Sequence, residues 1–215
     1  MLRAVMSETR DPIGVVLAGG AGRRIGGGKA VVELHGTPLV RYPLLALQAV
    51  LAEVVVVAKQ DSALPPLPAV PIWIEPAEPH HPLAGIVHAL EGAGAAAQLA
   101  GMAREILVSA GDLPFLTPSL VERLAHEDAR GAPAVVPRAD GRLQPLLARY
   151  RPAAYAPLAA ALAREPVPSL TAAVAALEPQ IVEVEDAMPF FNVNAPEDLL
   201  TATALLDRGG PGWPA

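Results

Sequence analysis

A chain of 215 residues with 52% hydrophobic and 4% aromatic residues is long enough for one substantial core and does not require a second domain. Its net charge of −6 leaves no basic stripe for a nucleic acid outside a short cluster at 23–29, so the expected substrates are small anions met by a local positive pocket. Cysteine is absent, which excludes disulfide scaffolds and thiolate metal sites and is compatible with a cytoplasmic location.

The first twelve residues carry Arg3, Glu8, Arg10 and Asp11 without an apolar run; they do not make a signal peptide and are expected to form a flexible segment. Residues 13–206 read as one domain. Apolar runs of strand length follow at 13–18, 53–58, 71–75 and 105–110, separated by helical patterns at 38–50 and 83–92. That alternation predicts a mostly parallel sheet in a three-layer α/β/α, Rossmann-like arrangement. The proline-rich run 64–71 reads as a surface loop and Ala93 to Gly101 as a low-complexity connection, partly helical or mobile.

After Asp112 the pattern changes. Thr117 is placed to cap a helix at 118–127. Strands at 134–137 and 144–149 are joined around Ala139-Asp140-Gly141, where Asp-Gly signals a hairpin. Helices at 152–164 and 169–177, a strand at 180–184 and a last helix from Pro196 complete the domain. The stretch 207–215 is expected to be a flexible tail, and no apolar segment reaches membrane-spanning length.

The first strand runs directly into Gly19-Gly20-Ala21-Gly22-Arg23-Arg24-Ile25-Gly26-Gly27-Gly28-Lys29. Glycines allow positive φ and close backbone approach, so N–H groups can face phosphate oxygens while Arg23, Arg24 and Lys29 supply countercharge. A P-loop would need glycine where Arg23 stands and a hydroxyl where Ala30 stands. The dinucleotide fingerprint fits Gly20 and Gly22 but meets Ile25, and the next strand closes on Lys59 rather than an acid. The loop is therefore read as a triphosphate cradle of another kind.

Ligands in open α/β sheets bind beyond the carboxyl ends of the strands. The glycine loop and Asp112 both leave the sheet at that edge, so segments ninety residues apart can share one site. Asp112 is the expected Mg²⁺ ligand, since Mg²⁺ prefers carboxylate, phosphate and water oxygens; a turn aspartate is the plainer alternative. Lys29 and Arg24 are expected to neutralise the triphosphate and the leaving pyrophosphate. Asn192 and Asn194 are read as alternate residues on a short strand, sharing one face; an asparagine capping the helix at 196 is the plainer alternative. His35, His80, His81, His88 and His126 lack metal-ligand spacing and read as loop or surface histidines. Glu75, Glu78, Glu183, Glu185 and Asp186 read as solvated charges without a role.

The loop resembles the L-A-G-G-x-x-x-R-M-G-x-D-K opening of nucleotidyltransferases, most closely the molybdenum cofactor guanylyltransferase (MobA) family. Glu33 to Leu39 resembles that family's strand, turn and helix start, Pro82-Leu83-Ala84-Gly85 its G-P-L-A-G, and Ser109 to Phe115 its metal-binding C-D-x-P segment. Phe191 to Leu199 resembles its F-x-N-[IV]-N-T-P-E-D-L. The resemblance implies a nucleotide-diphospho-sugar transferase type of fold. It also implies transfer of GMP from GTP to the phosphate of Mo-molybdopterin, with Mg²⁺ held by Asp112 and Asn194. The nucleotide would lie against Leu17, Ala18, Gly19, Gly20, Gly22, Arg23 and Gly26, walled by Pro82, Leu83 and Gly85, with Asn192 and Asn194 facing the acceptor. Transient contacts with other cofactor-biosynthesis proteins or apo-molybdoenzymes are implied in the same way.

Three positions depart from that family's pattern. Gly28 replaces the acid before the motif lysine, Pro76 replaces an aspartate that contacts the nucleotide, and His81 replaces the glycine before P-L-A-G. The base therefore stays open between GTP and CTP, and the acceptor between molybdopterin, phospholactate and a sugar phosphate. A non-catalytic nucleotide-binding module is the reading outside the enzyme class.

Overall fold

A run such as Val54-Val55-Val56-Val57 has no polar face, and it is stable only where both sides of the strand are covered. The computed structural model of the protein describes residues 11–19, 28–100 and 103–208 and covers it on both sides. The flexible ends expected at 1–12 and 207–215 lie, up to residue 10 and from residue 209, outside the described residues. Asp207 itself is helical.

In chain order the elements begin with β1 (Ile13–Leu17), β2 (Glu33–Leu34), β3 (Thr37–Pro38) and α1 (Arg41–Gln48). Then come β4 (Val54–Lys59), β5 (Ile72–Glu75), α2 (Pro82–Ala100), β6 (Ile106–Ala110) and α3 (Pro118–His126). The second half holds β7 (Ala134–Ala139), β8 (Arg142–Leu143), β9 (Leu147–Tyr150), α4 (Tyr155–Leu162), α5 (Leu170–Ala175), β10 (Gln180–Glu183) and α6 (Pro196–Asp207). The main sheet has the order β10-β7-β9-β6-β1-β4-β5, with β8 on β7. β6, β1, β4 and β5 are mutually parallel, whereas β9 runs antiparallel to both β6 and β7.

Strand periodicity divides the core. Val15, Val55, Val57, Ile106 and Val108 face α2, α4 and α5, and Val16, Val54, Val56 and Leu107 face α1 and α3. Fully burying each such side chain contributes roughly 1.5–3 kcal/mol, so the central strands are fixed from both layers. This is the three-layer, mostly parallel arrangement expected from the alternation.

Several local expectations hold and others shift. Thr117 caps α3, its Oγ1 accepting from the Leu120 N–H at 3.4 Å. Asp140 and Gly141 both have positive φ (48° and 72°), as a two-residue primed hairpin turn requires, and they join β7 to β8. The strand expected at 144–149 is instead the short β8 followed by β9, which crosses to pair with β6. The Ala/Gly run read as a connection continues α2 to Ala100, and the helix at 152–164 opens with a 3₁₀ turn at Pro152–Ala154. Among the described residues no helix is long and apolar enough to cross a membrane.

A third, smaller cluster lies outside the sheet layers. Leu34, Leu39, Tyr42 and Phe115 are covered by Val193 and Ala202 from the C-terminal segment. Phe191 stands edge-on to Phe115, with ring centroids 5.7 Å apart and planes at 65°. This cluster docks the end of the chain beside the loop that follows β6.

Candidate functional site

From β1 the chain moves outward to β4 and β5, then returns to place β6 on the other side of β1. The crevice beyond the carboxyl ends of β1 and β6 is therefore the topological switch point, where doubly wound sheets bind ligands. Backbone bonds hold it open at a fixed width: Gly111 N–H donates to the Leu17 carbonyl at 3.0 Å and Ala18 N–H to that of Val57 at 2.8 Å. The crevice has a volume of about 650 Å³ and extends from Asp112 past Leu17, Ala18 and Gly19 to Lys59 and Glu75.

At the β6 end, Lys29 meets three side chains brought from distant parts of the sequence. Its ammonium forms an ion pair with Asp112 Oδ2 and donates to Asn192 Oδ1 at 3.2 Å and Asn194 Oδ1 at 2.7 Å. Lys29 opens a 3₁₀ turn, Lys29–Val31, after Gly28 at φ 61°, ψ 50°. The two asparagines do share a face, but not on a strand. They lie on an irregular segment whose Val193 N–H donates to the Asp112 carbonyl at 3.1 Å. Nor does either asparagine cap α6. Asp198 does so, its carboxylate accepting from Asn194 N–H and Ala195 N–H at 2.8 and 2.9 Å.

Asp112 Oδ1 is buried without a hydrogen-bond partner among the described residues. Burial pushes the Asp112 carboxyl above the ordinary carboxylate range, and the Lys29 ammonium pulls it back part of the way. An orphaned carboxylate oxygen beside amide oxygens suits a hard cation such as Mg²⁺. Among the described residues no group of three or more His, Asp or Glu gathers. The donor set thus fits a cation that takes one carboxylate here and completes its shell with amide, phosphate and water oxygens.

At the other end the structure corrects the sequence reading. Glu75 is not a solvated charge: it is 8% exposed and its carboxylate lines the crevice. Lys59, closing β4, is 9% exposed and donates to the carbonyls of Pro76 and Ala77, both at 2.8 Å. Buried charges on adjacent strand ends were invisible in the sequence, because their burial depends on the register of β4 against β5. Pro82 and Gly85 line the crevice, but Leu83 points away into the core and is fully buried. His80 and His81 both border the cavity, and His81 Nδ1 accepts from the Leu83 N–H at 3.1 Å, capping α2. Gly20, Gly22, Arg23, Arg24 and Gly26, expected on the phosphates, lie outside the described residues.

Comparison with known proteins identifies the family. A family described as MobA-like NTP transferase domain matches residues 14–184. The chain belongs to the MobA-like NTP transferase family. A molybdenum cofactor guanylyltransferase from Rhodobacter capsulatus is 36% identical, the alignment covering 92% of this chain and 98% of that protein. A probable molybdenum cofactor guanylyltransferase from Chloroflexus aggregans is 33% identical, with 90% and 94% covered.

Among solved structures, molybdopterin-guanine dinucleotide biosynthesis protein A from Archaeoglobus fulgidus superposes with a TM-score of 0.69 at 24% identity, covering 91% of this chain and 99% of that one. The 2-C-methyl-D-erythritol 4-phosphate cytidylyltransferase from Thermus thermophilus does so with a TM-score of 0.65 at 22% identity, covering 92% and 99%. These likenesses establish the nucleotidyltransferase fold.

As a MobA-like NTP transferase the chain is a nucleotidyltransferase, and its departures from the family motifs can be read in physical terms. At Gly28 the backbone is left-handed, and a Cβ would meet Val31 Cγ2 at 3.1 Å and Ala63 Cβ at 3.2 Å. An acid there would need both neighbours to give way. His81, in place of glycine, supplies the α2 cap described above.

Proposed function

We propose that this protein transfers GMP from GTP to the terminal phosphate of Mo-molybdopterin and releases pyrophosphate. The observation that carries the reading is the Lys29–Asp112–Asn192–Asn194 cluster at the switch point of a MobA-like NTP transferase. The relatives named molybdenum cofactor guanylyltransferase, aligned over most of both chains, support the choice of donor and acceptor.

In this reaction an acceptor phosphate oxygen forms a bond to the α-phosphorus of GTP, and the bond from that phosphorus to the bridging oxygen of the β-phosphate breaks. Little covalent chemistry falls to the protein; positioning and charge compensation dominate. Asp112 and Asn194 would hold Mg²⁺, which supplies Lewis-acid polarisation of the α-phosphate. Lys29 would leave its three oxygen partners for the phosphates, bracing the charge that develops on the leaving pyrophosphate. Arg24 and Arg23 would share that task. The backbone of Leu17, Ala18 and Gly19 would seat the ribose and base, with Asn192 turned toward the acceptor.

Pyrophosphate release with each of the four nucleoside triphosphates, in the presence and absence of molybdopterin, tests the reading. GTP with molybdopterin should give the fastest release, and Asp112→Ala should lower it by roughly a hundred- to a thousandfold. Equal release from CTP would overturn the donor assignment, and unchanged turnover in Asp112→Ala would overturn the metal assignment.

A further inference from the structure

The oxygens around the Lys29 ammonium are held in place by bonds that do not involve it. Val193 N–H donates to the Asp112 carbonyl at 3.1 Å, and Asn194 N–H donates to Asp198 Oδ2 at 2.8 Å. Backbone bonds therefore present Asp112, Asn192 and Asn194 at one spot, whereas the lysine reaches it on a flexible four-carbon stem. An ammonium has three protons, and three acceptors surround this one: Asp112 Oδ2, Asn194 Oδ1 at 2.7 Å and Asn192 Oδ1 at 3.2 Å. Two of these residues, Asp112 and Asn194, are the pair proposed above to hold Mg²⁺. An ion bonded to the same Asn194 oxygen would stand beside the ammonium. With the Lys29 and Asp112 side chains only 15% and 13% exposed, water screens that repulsion poorly. Ammonium and divalent ion are thus alternative occupants of one set of oxygens. The ammonium also leaves the set incompletely used, since Asp112 Oδ1 stays buried without a partner among the described residues.

We infer that Lys29 is a built-in competitor for the cation site: its ammonium holds the cation's oxygens until the phosphates of an incoming triphosphate draw it away. The inference rests on the proposed reaction and adds the regulation of its site, in which cation and triphosphate load together rather than cation first. A competitor lowers the apparent affinity for the cation by the fraction of time it occupies the oxygens. A triphosphate that binds the ammonium removes that penalty, and by reciprocity a bound cation frees the ammonium for the triphosphate. The crevice then offers its divalent ion only when there is a phosphate to polarise.

Mn²⁺ serves as the probe, with the free ion counted by electron paramagnetic resonance on the whole protein without nucleotide. Lys29→Met keeps the length of the stem and removes the charge; it should bind Mn²⁺ roughly ten- to a hundredfold more tightly than wild type. Asn192→Ala keeps the charge and removes one partner of the ammonium, the one not assigned to the cation. It should tighten Mn²⁺ roughly threefold, and metal-free GTP, measured by calorimetry in EDTA, by a similar factor, because the ammonium loses one hydrogen bond. A merely structural cluster would give the opposite sign, since loss of either side chain would loosen the oxygens and weaken Mn²⁺. Should Lys29→Met not fold, Asn192→Ala decides alone. If Asn192→Ala binds Mn²⁺ no more tightly than wild type, or metal-free GTP more weakly, the competition is overturned and the proposed reaction stands. Tight Mn²⁺ binding that persists when Asp112→Ala is added to Lys29→Met would overturn both the competition and the metal assignment.

Discussion

Under the proposed reaction the lysine of the glycine-rich loop has two jobs that oppose each other. Its ammonium pairs with Asp112 Oδ2 and donates to both asparagines, and the proposed reaction would require it on the phosphates. Both Lys29 and Asp112 are largely buried, with side chains 15% and 13% exposed. Removing one partner of a buried pair costs about 3–5 kcal/mol, so Lys29→Ala is expected to lose about 3 kcal/mol in metal-free buffer. Adding Asp112→Asn to it should recover most of that loss, because the two effects share one interaction. Urea unfolding of the two single variants and the double variant measures it, and simple additivity would show that the pair is not coupled. Asp112 and Lys29 were legible in the sequence because they follow apolar runs on one edge of a parallel sheet. Glu75 was not, since a single glutamate before a proline carries no sign of burial.

At the scale of elements, α2 decides between the two readings that composition left open. Ala93 to Gly101 reads as low complexity, yet the helix runs on to Ala100 because one face of it is anchored on the sheet, with Leu83, Ile86 and Leu90 buried. Two glycines within it behave oppositely. At Gly92 a Cβ would stand 2.8 Å from the Trp73 ring, whereas at Gly94 it would meet nothing within 4 Å. Alanine is favoured over glycine in a helix by about 0.8–1 kcal/mol. Gly94→Ala should therefore gain up to about 1 kcal/mol, and Gly92→Ala should lose about 1–3 kcal/mol through overpacking against Trp73. Thermal melts of the two variants should move in opposite directions; a common direction would contradict the packing of α2 on β5. Cap chemistry was easier to read: Thr117 and the Asp140-Gly141 turn are local, and they formed where the sequence placed them.

For the whole molecule, the parallel half of the sheet followed from alternating strands and helices, while the insertion of antiparallel β9 between β6 and β7 did not. Strand lengths and periods do not encode sheet order, which is set by which faces the helices can cover. β9 also carries Tyr150, fully buried, its hydroxyl donating to the Pro145 carbonyl at 2.7 Å. Burial pushes this phenol well above the ordinary tyrosine value of 10.0, and Tyr42 is raised for the same main reason. An acid that keeps its proton when folded and loses it when unfolded favours unfolding as pH rises. Its contribution is intact below about pH 10 and declines above it by about 1.4 kcal/mol per pH unit. The urea midpoint of wild type should therefore fall more steeply between pH 10 and 11.5 than that of Tyr150→Phe. Parallel slopes would contradict the burial of Tyr150.

The docking of the C-terminal segment on Phe115 and Tyr42 has a consequence for the order of events on the ribosome. Lys29 waits for partners 163 and 165 residues further along the chain, and the matched family region ends at residue 184, before either asparagine. All ten strands among the described residues are synthesised before Asn192. A nascent chain can thus assemble the described sheet and still lack a finished site, which closes only once Asn192 and Asn194 have emerged.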